Sequence, residues 1–412
     1  MKKINWFALC TLLSFFIGSC QSQTMPDRKG KKKVESKSEH IDMNQVRFAT
    51  FNTALERAET GQLIRDLTTK SNPQAKKIAE IIQRTNPDII AIQEFDYDSE
   101  GTALKLFKSN YLEVSQNGAK PIKFHHAVAF PSNTGLPSGV DFDGNGKTNS
   151  PNDAFGFGKH PGHYAFAILS KYPIDQSATR TFQYFLWRDM PENNMPLNTN
   201  QKPYYSKEAT NIFRLSSKNH VDVSVNVKGK IVHLLVAHPT PPVFDGEEDK
   251  NGKRNYDEVR LFADYIGEKE GAKYLYDDNG KEGGLPANAD FVIFGDMNAD
   301  PNDGDSYDTA IDQLLNHPRV NQNVAKGEFV PQSKGGLENS RNKSFLGNQK
   351  GKPEHDTSNW GLRVDYVLPS ASLSAINSGV YWNSKFDKLE YLTKEKESSD
   401  HRLVWVDVVL GE

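Results

Sequence analysis

Cysteine is nearly missing from this chain, with only Cys10 and Cys20 in 412 residues. Cys10 lies inside an N-terminal segment that reads as a signal peptide, so the mature chain would keep only Cys20, disulfides cannot contribute to its stability, and the fold must stand on its core. Positive charge is short as well. Fifty Lys and Arg against 53 Asp and Glu leave a formal net charge of −3, so no broad basic field exists for tight nonspecific binding to nucleic acid. No Cys or His cluster has zinc-ligand spacing. There is no internal repeat, and the apolar run near the N-terminus is too short for a comfortable membrane span.

That run, in MKKINWFALCTLLSFFIGSC, follows Lys2 and Lys3 and stops at Ile17, Gly18, Ser19 and Cys20. It reads as a signal peptide over 1–20, and small residues directly before a cysteine resemble the lipobox of bacterial lipoproteins, in which that cysteine is lipidated. An ordinary cleaved signal is the alternative. Cys20 would then be the membrane anchor of an exported protein, held to the outer membrane or cell surface. Residues 21–44 are polar, carry the basic run RKGKKK, and read as a flexible tether. Such a run can touch anionic lipid near the anchor, but a solvated linker is the simpler reading. The remaining 368 residues, 45–412, suffice for one large α/β domain or two ordinary ones. Loss of Lys2 and Lys3 takes the net charge from −3 to −5.

Within 45–412, apolar strands repeatedly end on polar groups. VRFATFNT places Val46, Phe48, Thr50 and Asn52 on one face. A helix through KKIAEIIQR leads to DIIAIQEF, where Ile90, Ile92 and Glu94 share a face by simple alternation; a carboxylate closing a buried strand is costly unless paired or bound to a cation. YAFAILSKYPI, Tyr164 to Ile174, reads as the next strand. VDVSVNV, KGK and IVHLLVAHP form a hairpin in which Val232, Leu234, Val236 and His238 face one way and His233 the other. A helix through NYDEVRLFADYIGEK precedes FVIFGDMNADPNDG. Asp296 and Asn298 there stand where a buried strand meets solvent, although Asp, Asn, Pro and Gly also make ordinary turns. A helix near Tyr307 to Leu315 and the strands LRVDYVLP, with Asp365, and HRLVWVDVVL, preceded by Asp400 and including His401, complete the chain. Two sheets of five or six strands with helices outside fit this alternation.

FNT, IQE, AILSKYPI, AHPTPP, GDMNADP, RVDYV and SDHRLV together resemble the motif series of the endonuclease/exonuclease/phosphatase superfamily, spanning nearly all of Val46 to Leu410. GD-x-N followed far downstream by SDH is the specific part of the match. The resemblance implies a four-layer α/β sandwich, two mixed sheets face to face with helices on both outer sides. It also implies a divalent-metal phosphoesterase in which Glu94 holds Mg²⁺ and Asn52 and Asp400 complete the metal site. Asp296 then positions or deprotonates the attacking water with Asn298 as its partner. His238 and His401 donate to phosphoryl oxygens or the leaving group, and Asp365 orients His401. A hard cation with carboxylate and amide ligands suits phosphate oxygens, which favours Mg²⁺, or Mn²⁺, over Zn²⁺.

Two insertions depart from the pattern. GVDFDGNGKTNSPNDAFGFGKHPG carries Asp141, Asp143 and Asn145, with Gly146, at the spacing of the first half of a calcium loop. Its twelfth position is Asn152 instead of Glu, and an Asx-rich turn is the competing reading. The second insertion brings Trp187, Arg188, Arg214, Lys218 and His220, of which Arg214, Lys218 and His220 are candidates for binding substrate; loop packing explains them equally well. AHPTPPVFDGEEDKNG is more acidic than the matching loop of DNA-cutting members. The expected substrate is therefore a small phosphodiester or monoester, with an extracellular nuclease, or a calcium-dependent surface binding protein on an inactive scaffold, as alternatives.

Overall fold

Val46 and Phe48 on one strand and Phe294 on another are fully buried, and the rings of Phe48 and Phe294 meet with centroids 5.9 Å apart. This is the seam between two sheets. In the computed structural model, residues 45–339, 349–394 and 397–411 are described; the signal segment, Cys20 and the tether over 21–44 lie outside them. The strands in chain order are β1 (Gln45–Leu55), β2 (Ile89–Phe95), β3 (His126–Ala129), β4 (Phe166–Ser170), β5 (Ile174–Thr181) and β6 (His220–Val227), then β7 (Lys230–Ala237), β8 (Asp290–Asp296), β9 (Asp365–Pro369), β10 (Ser374–Val380) and β11 (Val404–Val409). One sheet has the order β10-β11-β1-β2-β4-β3 and the other β5-β6-β7-β8-β9.

Each sheet contains one parallel pair, β1 with β2 and β7 with β8, flanked by antiparallel neighbours. A parallel pair needs a crossover, and a helix supplies it in both cases. The helix Pro73–Thr85 starts on Asn72, whose side chain accepts the Ala75 amide at 2.9 Å, and stops on Asn86 in a left-handed conformation. Its Ile78 and Ile82 pack with Phe51, Ile90 and Ile92 on the outer face of the six-stranded sheet. The helix Lys250–Tyr265 covers the other sheet, its Phe262 against the His220 ring and its Tyr265 hydroxyl donating to Asp222 at 2.6 Å. The result is the four-layer α/β sandwich with two mixed sheets inside and helices outside.

Several sequence expectations need correction. The single strand expected over Tyr164 to Ile174 is two strands in different sheets, because the chain leaves β4 at Lys171 and re-enters as β5 after Pro173, which has no amide hydrogen to continue a ladder. The helix expected over Tyr307 to Leu315 breaks into Tyr307–Thr309 and Asp312–Leu315, with Asp308 and Thr309 at positive φ. Alternation does not carry Glu94 onto the face of Ile90 and Ile92. Those two face the outer helices, whereas Glu94 has φ 53°, a left-handed kink that turns the strand end.

Candidate active site

The parallel pairing sets the site. β1, β2, β7 and β8 all run toward the same rim, so their carboxyl ends present Asn52, Glu94, His238 and Asp296 together. Asp365 opens the antiparallel β9 in register with Asp296. His401 lies just before β11, bridged to Ser358. Gly295 is required in the GD step, since a Cβ there would meet the Ala237 carbonyl oxygen of β7 at 2.0 Å.

Asp296 Oδ2 is the meeting point. It accepts the Asn52 amide at 3.0 Å and has His238 Nε2 at 3.4 Å and His401 Nε2 at 3.5 Å. Its other oxygen accepts the Asn298 amide at 3.0 Å, and the Asn298 side chain donates to the Pro239 carbonyl at 3.1 Å. The acidic turn after the strand has its own builder, Asp300, which accepts the amides of Asn302, Asp303 and Arg363. Turn and site are thus both present in GDMNADP, on different carboxylates.

His401 and His238 are both buried yet oppositely tuned. His401 Nδ1 lies 2.9 Å from Asp365 Oδ2, and that carboxylate is fixed by the Thr357 hydroxyl at 2.7 Å. Burial works against a charged His401 ring, but Asp365 and Asp296 outweigh it and push its pKa up to about 10. Burial likewise raises Asp365 to about 6. His238 has no such carboxylate on its second nitrogen, whose Nδ1 finds no hydrogen-bond partner. Burial first, then Lys218 and His401, hold it well below the ordinary 6.5. The pair is one imidazolium and one neutral imidazole.

A divalent cation fits the residues present. Burial, then Glu56 beside it, pushes the Glu94 carboxyl up to about 8, so its charged form is costly here unless a positive partner offsets the burial. Glu94, His238 and Asp296 each offer a ligand atom within 4.8 Å of the others, as do Asp296, Asp365 and His401. Carboxylates with an amide from Asn52 are a hard donor set. Asp400 lines the same cavity and adds to the field on His401, but it belongs to none of the metal-capable clusters among the described residues.

Of the three candidates for substrate contact, only Lys218 reaches the cavity. Its ammonium is buried and donates to the Pro239 carbonyl at 3.3 Å, and burial lowers its pKa. Arg214 instead stacks on Phe155 and Tyr184 and donates to Asn133 at 2.6 Å. His220 is a core residue whose two nitrogens meet Ser216 Oγ at 2.7 Å and the Glu258 carbonyl at 2.9 Å. Trp187 is equally structural, its indole donating to Asp257. A basic or aromatic residue in an insertion carries no signal that separates these fates. In the calcium-like loop, Asp141 accepts the amides of Gly144, Asn145 and Gly146, and Asp143 that of Asn145. Asp153, one position past the missing Glu, joins Asp141 and Asp143 in a cluster with ligand atoms within 4.8 Å.

Residues missed in the sequence hold the site's loops. Ser399 Oγ donates to the Asn52 carbonyl at 2.7 Å and accepts the His401 amide at 3.0 Å. The buried polar face of the helix Lys250–Tyr265 does the same for two more loops. Glu258 accepts the amides of Ser217 and Thr240, both at 2.6 Å, and Asn255 donates to the carbonyls of Thr240 and Met297. Their signal was available, because buried polar residues on an amphipathic helix need partners. Asp96, His160 and His163 form another buried cluster. There His160 faces the carbonyls of Arg57 and Pro161 while His163 Nδ1 takes the Lys159 amide, so both rings tie loops together.

This architecture and site are those of a phosphoesterase or nuclease fold. The profile of the Endonuclease/Exonuclease/phosphatase family matches residues 49–401, and the chain belongs to that family, whose members are metal-dependent hydrolases. A comparison with curated proteins gives no match. Among solved structures, the chain is similar to an endonuclease/exonuclease/phosphatase from Beutenbergia cavernae, at 15% identity and TM-score 0.48, over 89% of this chain and 72% of that one. A family protein from Leptotrichia buccalis gives 14%, 0.44, 89% and 100%. A mannosyl-6-phosphatase from Bacteroides thetaiotaomicron gives 14%, 0.43, 89% and 100%.

Proposed function

We propose that the protein is an exported, lipid-anchored, Mg²⁺-dependent phosphoesterase that hydrolyses small phosphodiesters or monoesters. The observation that carries the catalytic reading is the convergence of Asn52, His238 and His401 on one oxygen of Asp296, with Glu94 alongside. Glu94, supported by Asn52, would hold the cation, with Mn²⁺ as the alternative hard ion; when bound, it neutralises phosphate charge and polarises the phosphoryl group. Asp296 accepts the proton of the attacking water, held in place by the Asn52 amide and the Asn298 backbone. His401, an imidazolium at neutral pH, donates to a phosphoryl oxygen or the departing alkoxide instead of acting as a base. Neutral His238 and the Lys218 ammonium supply further donors at the same end of the cavity.

Charge favours a small substrate. Seven carboxylates line the cavity against three Lys or Arg side chains, the reverse of what a polyanionic duplex needs. The purified protein with Mg²⁺ is expected to hydrolyse bis-nitrophenyl phosphate or nitrophenyl phosphate and to leave duplex DNA intact. Preferential cleavage of DNA would instead establish the nuclease reading. Export and anchoring rest on the Gly-Ser-Cys junction, and Cys20→Ser is expected to move the protein from the membrane to the soluble fraction. Retention of the processed variant in membranes would overturn the anchor. No helix among the described residues is long and apolar enough to cross a membrane.

A further inference from the structure

The cavity that contains Asp296 and His401 encloses about 1060 Å³, far more than a phosphate group fills. Part of its wall is aromatic, beside Asp143, Asp300, Asp303 and Asp305, and the two insertions build that aromatic part. Phe142 from the calcium-like loop packs on Phe213 at 4.7 Å, and Phe213 packs on Tyr205 at 4.6 Å. All three are buried. The Arg254 guanidinium sits over Phe213 at 4.7 Å while donating to the carbonyls of Phe155, Arg214 and Leu215, so this wall is braced from behind. At the mouth stand Phe157, 56% exposed, and Phe244, 91% exposed and held at φ 67°. Trp360 joins the wall to the chemistry, its ring edge-on to His401 at 5.0 Å and 87°.

Exposed phenylalanines at the rim of a deep cavity are not ordinary surface residues. A side chain that is 91% exposed gains nothing from the core, and a left-handed φ at a non-glycine residue is a strained conformation. Both costs are borne at the entrance of a cavity whose floor holds the catalytic group. The surrounding carboxylates repel additional negative charge, which argues against an occupant with several phosphates. An uncharged apolar group is the chemistry that this wall rewards.

We propose that the aromatic wall is the specificity subsite of the enzyme, and that the substrate is a phosphodiester whose retained, non-leaving alcohol is one sizeable apolar group, gripped between Phe157 and Phe244 against the Phe142–Phe213–Tyr205 wall. The proposal rests on the phosphoesterase reading and names the half of the substrate that the catalytic residues do not. Sugar phosphates and short polar diesters are then poor substrates. The selecting elements are the two insertions together with the AHPTPPVFDGEEDKNG loop, which carries Phe244.

The test uses the purified full chain with Mg²⁺ and two diesters with one leaving group, 4-nitrophenyl methyl phosphate and 4-nitrophenyl hexyl phosphate. The parent is expected to favour the hexyl ester by roughly 10-fold or more in kcat/KM, mostly through KM, as an apolar pocket discriminates by chain length. In Phe157→Ala/Phe244→Ala that preference is expected to collapse toward unity. Both side chains are exposed, so their truncation does not threaten the core. Equal kcat/KM for the two esters in the parent overturns the subsite, as does a preference that survives in the double variant. Hydrolysis of neither ester by the parent overturns the subsite, and absence of activity on nitrophenyl phosphate and bis-nitrophenyl phosphate as well overturns the phosphoesterase reading itself, a result distinguishable from hydrolysis without preference.

Discussion

Asp365→Asn removes one charge and little else. The amide oxygen can still accept from His401 Nδ1, so the ring keeps its place while the field on it changes. The contrast between the two buried histidines supplies the magnitude. Burial with nearby positive charge drives His238 well below 6.5, whereas His401, equally buried but paired with Asp365 and Asp296, rises to about 10. The rise from 6.5 to about 10 corresponds to about 5 kcal/mol in favour of the imidazolium, with Asp365 the largest favourable contributor. Without that charge, burial acts on a ring supported by Asp296 and Asp400 with Glu94 nearby, and the pKa is expected to fall. Imidazole NMR titration of the metal-free protein reads this directly. The parent is expected to keep His401 charged until the pH approaches 10, and the variant to lose the proton near or below neutrality. Turnover at pH 8 is expected to drop by ~10² or more, since a charged donor to the transition state is lost. An unchanged His401 titration in Asp365→Asn would refute the reasoning, because the pair would then not be the source of the charge.

Two further outcomes concern stability. Burial holds His220 down at about 4, so between pH 6.5 and 4 the unfolded chain binds a proton that the folded one excludes; the contribution is fully present above 6.5 and is lost as the pH falls through that window, up to about 3 kcal/mol. Urea midpoints measured from pH 7 to 4 are expected to fall less steeply in His220→Gln than in the parent, and equal slopes would count against it. If the Asp141, Asp143 and Asp153 cluster takes up Ca²⁺, the ion at ~100 times its dissociation constant should stabilise the fold by about 2.7 kcal/mol with Mg²⁺ already saturating. Asp153→Asn should abolish the effect, and a melting temperature unmoved by Ca²⁺ in the parent argues for a plain turn.

Much of this molecule was legible because its strands announce themselves. Alternation placed Asn52 beside Phe48 and His238 beside Val236, since side chains on a strand repeat every two residues, and β1 keeps its register with β2 as far as Asn52 and β7 its register with β6 as far as Ala237. The same rule failed at Glu94. A left-handed kink cannot be read from periodicity, and it is the kink that brings the carboxylate into the site. The split at Lys171 to Pro173 was hidden for a related reason, as Phe166, Ile168, Tyr172 and Ile174 continue one alternation across it, although Pro173 marks the break. The edge strands β3 and β10 are short or largely exposed and lack the pattern altogether. Arg214 and Lys218 are four positions apart and chemically alike, yet one stacks on aromatic rings and the other reaches the cavity, a difference decided by long-range packing. Ser399 acts through a hydrogen bond to Asn52, which is distant in sequence, and no spacing rule records such a bond.

The central claim is a division of labour between Glu94, which holds the cation, and Asp296, which takes the proton of water. Initial rates against Mg²⁺ concentration for the parent, Glu94→Gln and Asp296→Asn test it most directly. The account expects no turnover in any of them without a divalent ion, partial recovery of Glu94→Gln at high Mg²⁺, and no recovery of Asp296→Asn at any concentration, because an amide cannot accept the proton. Near-normal turnover by Asp296→Asn on the phosphoesters cleaved by the parent would contradict it.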